Sequence, residues 1–282
     1  MTSHGDRIRH FCSTHGIKLN TDLGQHFLID EEVLRSIVEA GNIHTEDHIV
    51  EIGPGIGVLT AELVQRAAHV TAIEIDEHLI PLLKEYVLKE ERRASTTLAN
   101  ARSAQHDVLH VVQGNALETP FPTTPYKIIA NIPYHITSPL LRHAFLESEV
   151  YPTSMTLLIQ REVAEKICDT EDHGLLTILV GLFGKPKLIR IVPPEAFLPP
   201  PKVDSAVLHI DCFPKPLADA ETIEEVFKLT KMGFSQKRKM LRNTLGNTPE
   251  GMTRLEKAGI EATRRPQTLT IEEWIRLARE CI

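Results

Sequence analysis

Short β-branched apolar runs alternate with amphipathic stretches of helical spacing from about residue 30 to residue 210. His48–Ile52, Val70–Ile75, Val108–Val112, Tyr126–Ala130 and Met155–Ile159 have the length and composition of buried strands. Between them, Val33, Leu34, Ile37 and Val38 share one helical face, with Asp30 as the expected N-cap and Gly41 as the stop. Further helices are expected through Leu59, Leu63 and Val64, through Leu79, Leu82 and Leu83, and around Pro139–Leu146. This alternation predicts βαβ units, hence a mostly parallel sheet with helices on both faces. A last strand is expected over Val203–Ile210, after the proline clusters Pro193-Pro194 and Pro199-Pro200-Pro201. Past a linker at Pro214–Pro216 the pattern is helical, through Ile223/Val226/Phe227, Met240/Leu241/Leu245, Leu255 and Ile271/Trp274/Ile275/Leu277. The expected division is an α/β domain over residues 1–213, with 1–22 as an N-terminal extension, and a small helical domain over 214–282. A core that small is marginal alone, so it should pack on the first domain.

Composition adds a soluble, globular character: 42% of the 282 residues are apolar, which sets disorder aside. The net charge of -7 is unevenly spread. No acidic residue falls between Glu225 and Glu250, whereas Lys228, Lys231, Lys237, Arg238, Lys239 and Arg242 do. Local charge decides what a surface attracts, so this run is a candidate RNA-phosphate face, with a merely solvated face as the plain alternative. The cysteines 12, 168, 212 and 281 form no CxxC pair, and His106/His110 lack further ligands, so no metal or disulfide framework is expected. The polar Met1–His10 lacks the apolar core of a signal peptide, and the run Leu175–Phe183 is too short to span a bilayer. A cytoplasmic protein without membrane contact is expected.

The first strand runs into Val50-Glu51-Ile52-Gly53-Pro54-Gly55-Ile56-Gly57. Alternate glycines let a backbone turn tightly and approach a ligand. Glu74, twenty-one residues after Gly53, ends the second strand, where a carboxylate matches a ribose diol. A dinucleotide enzyme shares this logic, but its loop reads G-x-G-x-x-G, and Glu51 suits a cationic cofactor better than a pyrophosphate. S-adenosylmethionine carries an amino group and a sulfonium and no phosphate. Gly114-Asn115-Ala116 follows the third strand, so Asn115 should face the same crevice.

Asn131-Ile132-Pro133-Tyr134 ends the fourth. An adenine amino group is a poor nucleophile because its lone pair is delocalised into the ring. An Asn oxygen and a neighbouring carbonyl can accept its hydrogens, a proline fixes the backbone, and an aromatic ring offers a stacking face. The same four residues also make a plausible turn after a strand.

With these motifs in order, the chain resembles the KsgA-type ribosomal RNA adenine dimethyltransferases. Gly24-Gln25-His26-Phe27-Leu28, Gln160–Ala164, Phe197–Val207 and Phe234–Asn243 also match that family's elements, so the resemblance runs from about Leu23 to Trp274. It implies a Rossmann-like class I S-adenosylmethionine-dependent methyltransferase domain with a small C-terminal helical domain. His26, Leu28, Gly53, Glu74, Asn115 and Asn131 would contact the cofactor, with Gly55 in the same loop. The Gly24–Leu28 stretch would close over it. Two departures stand out: Asn115 occupies a position where the family commonly has Asp, and residues 84–107 look like a surface insertion. The lost charge assistance at Asn115 costs on the order of 1 kcal/mol.

Asn131, Ile132, Pro133 and Tyr134 would then hold the target base, and Phe197 is either a second stacking face or a core residue. Only an unpaired or flipped-out base can reach such a crevice. The resemblance implies two adjacent adenosines near the 3′ end of small-subunit, 16S-type rRNA, modified by a monomer on an assembling 30S-type particle. Lys237, Arg238, Lys239 and Arg242 would contact RNA. The alternatives are a large-subunit methyltransferase of the macrolide-resistance type and a catalytically silent RNA-binding assembly or transcription factor on the same fold. A DNA adenine methyltransferase fits less well, because no target-recognition domain is recognisable.

Overall fold

The computed structural model describes residues 3–17, 24–97, 108–236 and 238–282. The chain divides into two compact units: Met1–Ala164 with Lys187–Cys212, and Glu165–Pro186 with Phe213–Ile282. In the first unit the elements run α1 (His4–Thr14), β1 (Phe27–Leu28), α2 (Glu31–Ala40), β2 (His48–Ile52), α3 (Thr60–Leu63), β3 (His69–Glu74) and α4 (Leu79–Thr97). They continue with β4 (Leu109–Gln113), β5 (Lys127–Asn131), α5 (Thr137–Arg142), β6 (Ser154–Gln160) and α6 (Arg161–Ile167), the last running into the second unit. After α7 (Leu175–Phe183) come β7 (Gly184–Val192), which re-enters the first unit, then β8 (Phe197–Leu198) and β9 (Ser205–Cys212).

Among the described residues the main sheet has seven strands in the order β4-β3-β2-β5-β6-β9-β7. β4 through β6 pair in parallel, and β9 returns antiparallel to β6, from Ser154↔Asp211 to Gln160↔Ser205. β2, β5 and β6 are almost continuously buried, as strands covered on both faces must be. Helix α2 begins where the side chain of Asp30 accepts from Val33 N, and it packs its face of Val33, Leu34, Ile37 and Val38 toward β6 and β9. Strand order reverses between β2 and β5, and ligands of open α/β sheets bind outside such a switch point.

Four features depart from the expectations above. The 1–22 extension contains α1, whose Ile8, Phe11 and Cys12 join the main core; charged and histidine positions between them obscure the face. β7 is an additional edge strand, and its Lys185, Pro186, Lys187 and Arg190 are the charges and proline with which edges discourage further pairing. Residues 165–186, assigned above to the first domain, cluster with the second unit. The reason is α7, where Ile178, Leu179, Val180, Leu182 and Phe183 are all buried. A helix this apolar needs cover on most sides. Part of the 84–107 segment is helix, since α4 extends to Thr97 and buries Tyr86 and Val87; residues 98–107, including His106, lie outside the described residues.

The second unit adds α8 (Ala220–Gly233), α9 (Pro249–Lys257) and α10 (Ile271–Arg279). α10 packs on α7, α8 and α9, and carries the fully buried Trp274. It opens with a capping box in which Thr270 and Glu273 satisfy each other's backbone N–H. No helix among the described residues is long and apolar enough to cross a membrane.

Gly251, in the first turn of α9, leaves no room for a side chain, because an added Cβ would run into the carbonyl oxygen of Leu245. Backbone cannot move aside as a side-chain tip can, so Gly251→Ala should destabilise the helical unit by about 2–3 kcal/mol. Urea unfolding followed by the fluorescence of Trp274, the chain's one tryptophan, measures this directly.

Candidate active site

An open cleft of about 1050 Å³, counting the solvent at its mouth, lies at the C-terminal ends of β2, β3, β4 and β5. Gly53 and Gly55, with φ of +65° and +60°, take the chain from β2 toward α3 in a conformation open to glycine. A Cβ on Gly55 would sit 2.8 Å from the Phe27 ring, so the loop also needs glycine for space. Glu74, 4% exposed, holds that loop: one oxygen accepts from Gly55 N at 3.0 Å and the other from Asp76 N at 2.9 Å. Asp76 in turn accepts from Gln25 Nε2 at 3.0 Å, which fastens the Gly24–Leu28 segment across the end of β3.

The same segment is fixed on its other side. Phe27 and Leu28 bridge to Leu198 and Phe197 as a two-stranded ladder, β1 against β8. His26 Nδ1 lies 2.7 Å from the carbonyl oxygen of Pro199. A carbonyl only accepts, so Nδ1 carries the proton and a neutral ring keeps Nε2 as an acceptor. The backbone carbonyl of His26 accepts from Asn131 Nδ2 at 3.0 Å. That bond orients the Asn131 amide and leaves Oδ1 as its free acceptor.

His26, Leu28, Gly53, Gly55, Glu74, Asn115, Asn131 and Pro133 all line the cleft. Ile132 and Tyr134 do not. Ile132 buries its side chain, 2% exposed, and has only backbone to offer. Tyr134 stands beside the cleft, its ring stacked on His26 at 6.2 Å and 18°, with its hydroxyl 2.6 Å from Ser205 Oγ. Burial pushes the Tyr134 phenol above its ordinary value. Asn115 is engaged locally: Oδ1 accepts from Leu117 N at 3.1 Å and Nδ2 donates to Glu118 at 2.9 Å. One lone pair of Oδ1 remains for a ligand.

Phe197 needs a correction. It is 2% exposed, inside the core cluster that holds Phe27, Leu28 and Ile56, so its ring has no face to stack on a base. Its role is to seat the β1–β8 ladder. Sequence reasoning also assigned no role to Gln25, Asp76 and Ser205. Gln25 and Ser205 fall inside motifs quoted above, but each of the three acts through a partner fifty or more residues away in sequence, and no local pattern shows that pairing.

In the second unit, the basic run is not one helix. α8 ends at Gly233, and Leu241–Asn243 form a separate 3₁₀ turn whose Leu241 N and Arg242 N donate to the Arg264 and Ala262 carbonyls. Lys228 is neutralised by Glu224 and Glu225, at 3.0 and 3.5 Å. Arg238, Lys239 and Arg242 are exposed and have no ion-pair partner among the described residues; Lys237 lies outside the described residues.

Among the described residues the cleft lining contains Glu51 and Glu74 and neither lysine nor arginine. Glu51, 1% exposed, accepts from Thr60 Oγ1 at 2.6 Å, and burial pushes its carboxyl up to about 8. Burial raises Glu74 as well. An unfolded chain loses the Glu51 proton near 4.5, so between 4.5 and about 8 the folded state holds a proton that the unfolded state has released. Stability should therefore fall as pH rises through that window, by on the order of 1–3 kcal/mol. Glu51→Gln keeps the shape of the neutral acid and can still accept from Thr60, so its melting temperature should decline less between about pH 5 and pH 8. Parallel melting curves for the two proteins would contradict this.

The family model for ribosomal RNA adenine dimethylases matches residues 16–282. A ribosomal RNA small subunit methyltransferase A from Dehalococcoides mccartyi is 39% identical over 270 residues, covering 94% of this chain and 89% of the relative. The protein of the same name from Clostridium botulinum is 39% identical over 272 residues and 94% of each chain. Among solved structures, a dimethyladenosine transferase from Plasmodium falciparum superposes with a TM-score of 0.73 at 27% identity, covering 91% of this chain and 99% of that one. The 23S rRNA methyltransferase ErmE gives 0.67 at 25% identity, over 90% and 98%. With an oriented asparagine at the end of β5, a carboxylate-held glycine loop and a family match across nearly its whole length, the chain belongs to the ribosomal RNA adenine dimethylases.

Proposed function

We propose that this protein dimethylates the exocyclic amino groups of two adjacent adenosines near the 3′ end of small-subunit rRNA, using S-adenosylmethionine, on an assembling small-subunit particle in the cytoplasm. The observation that carries this reading is the Asn131 amide, whose nitrogen is committed to the His26 carbonyl and whose oxygen is left as an acceptor beside the cleft. Curated relatives at 37–39% identity are small-subunit enzymes, which supports that target over the large-subunit alternative. We read the protein as acting as a monomer.

The cleft suits a cationic cofactor. Its lining charges are the two carboxylates, and burial leaves both short of water that would otherwise screen them. When bound, S-adenosylmethionine supplies an electrophilic methyl group and leaves as its thioether. Glu74 keeps lone pairs beyond those used by Gly55 and Asp76, and these can accept from a ribose diol. The free lone pair of Asn115 Oδ1 can take the cofactor adenine's amino group. Backbone at His26 and Leu28 faces the methionine end.

On the substrate side, Asn131 Oδ1 and the Ile132 carbonyl accept the two amino hydrogens, which draws the lone pair out of the ring plane. Tyr134 offers its face to the base, and its hydroxyl bond to Ser205 fixes the ring. The cationic product is acidic enough to lose its proton to water, so no dedicated base is required. Arg238, Lys239 and Arg242, with Lys237, contact phosphates of the particle's RNA.

Asn131→Ala should lower kcat by roughly 10²–10³-fold while leaving particle binding unchanged. Radiolabel transfer to purified small subunits and a binding assay on the same particles measure both quantities. Unchanged methylation would remove Asn131 from the reaction. Mass spectrometry of 3′-terminal rRNA fragments from cells with and without the protein tests the target itself, and calorimetric titration tests the cofactor.

A further inference from the structure

The helical run that follows the clamp carries a charge not used above. A 3₁₀ turn over Tyr134–Ile136 leads into α5 and then into a π-helical turn over His143–Glu147. Along this run Thr137, Leu140, Leu141 and Ala144 are buried, while His135, Ser138, Pro139 and Arg142 are exposed. The exposed positions recur at i, i+3, i+4 and i+7, so they form one stripe. The stripe starts at the cleft, because His135 is part of its lining.

Arg142 lies about 10 Å along the helix from His135. Two carboxylates of the adjoining segments have other partners: Glu147 bonds His143 Nδ1 at 3.2 Å and Glu118 bonds Asn115 Nδ2 at 2.9 Å. Arg142 has no ion-pair partner among the described residues. An exposed, unneutralised guanidinium in a chain of net charge -7, on the stripe that begins at the cleft just past the Asn131–Tyr134 segment, is placed to meet an anion arriving with the substrate.

The geometry points to the His135–Ser138–Arg142 stripe as a phosphate-contacting track, on which Arg142 is a positioning residue that holds the RNA backbone flanking the flipped-out adenosine. This rests on the reading of the cleft as an RNA adenine methyltransferase site. Arg142 does not touch the reacting atoms. Its bond to a phosphate fixes where the neighbouring nucleotide lies, and so where the target base enters. Hydroxyl and imidazole groups at Ser138 and His135 can donate to the same backbone.

Arg142→Gln should raise KM for small-subunit particles about 5- to 10-fold, leave kcat within about twofold, and flatten the slope of log affinity against log salt by about 0.7. Arg142→Lys should recover most of the slope, because the charge releases the counterion, and less of KM, because the fork geometry is lost. Melting temperatures should not differ, since the side chain is exposed. An unchanged KM and salt slope in Arg142→Gln would overturn the inference. So would a fall in kcat at constant slope. Particle binding is measured apart from methylation, so a wild type that binds but transfers no methyl group would fail the functional reading and still judge Arg142 by its slope.

Discussion

One hydrogen bond, from Asn131 Nδ2 to the His26 carbonyl, sets the terms for the rest of the site. An asparagine amide presents a donor and an acceptor of nearly the same shape, and only a fixed partner decides which faces the substrate. Committing the nitrogen to a backbone carbonyl aims the oxygen at the cleft before any ligand arrives. The carbonyl must itself be fixed, and the neighbouring bonds do that. His26 Nδ1 donates to Pro199, Gln25 donates to Asp76, and Phe27 and Leu28 are laced to β8. The main core extends to Phe197 for this reason: its burial seats the ladder that holds the carbonyl that turns the amide. Rigid support of this kind is what permits preorganised acceptors to act on a transition state without rearranging.

Charge follows a complementary logic inside each unit. The cleft of the first unit concentrates two carboxylates in a buried setting, where burial raises their affinity for protons. Burial that raises Glu51 to about 8 favours its neutral form at neutral pH, and a cation placed in the cleft would favour the ionised form instead. Binding of a cation there would be coupled to loss of the Glu51 proton. In the second unit, the acid-free run leaves Arg238, Lys239 and Arg242 exposed, while Lys228 is quenched by its own helix neighbours one turn back. Counting positive residues in sequence overstates a surface wherever a carboxylate sits at i−3 or i−4.

Local patterns made most of the first unit legible. β2 coincides with the run read as His48–Ile52, and α2 starts and stops at the cap and glycine that mark it, because short-range sterics and capping determine both. The glycine loop, Glu74, Asn115 and Asn131 were legible for the same reason: each sits at the end of a strand whose direction the βαβ rule fixes. What stayed hidden depends on partners distant in sequence. β7 carries a proline and three cations, so its strand identity comes from β9 rather than from its own residues. α7 belongs with α8 and α10 because its all-round apolar surface is covered there, a fact of packing with no marker in the run itself. Phe197 could be read as core or as platform from its sequence alone, and the β1–β8 register decides for core. The tautomer of His26 depends on Pro199, 173 residues away.

Dimethylation asks more of this geometry than a single transfer does. In the proposed clamp two acceptors, Asn131 Oδ1 and the Ile132 carbonyl, would match the two hydrogens of an unmodified amino group, but after one methylation only one hydrogen remains. The group must then re-enter with its methyl turned toward one acceptor, which loses its partner. An acceptor left unpaired in a dry interior costs about 1–3 kcal/mol. In the proposed clamp that loss is softened on one side, because Asn131 is only half-buried at the cleft's edge, where water can replace a missing hydrogen. On that reading the second transfer would be best served with the remaining hydrogen on the Ile132 carbonyl and the methyl on the Asn131 side, beside solvent. A clamp with both acceptors equally buried would hold the first substrate more tightly and reject its own product.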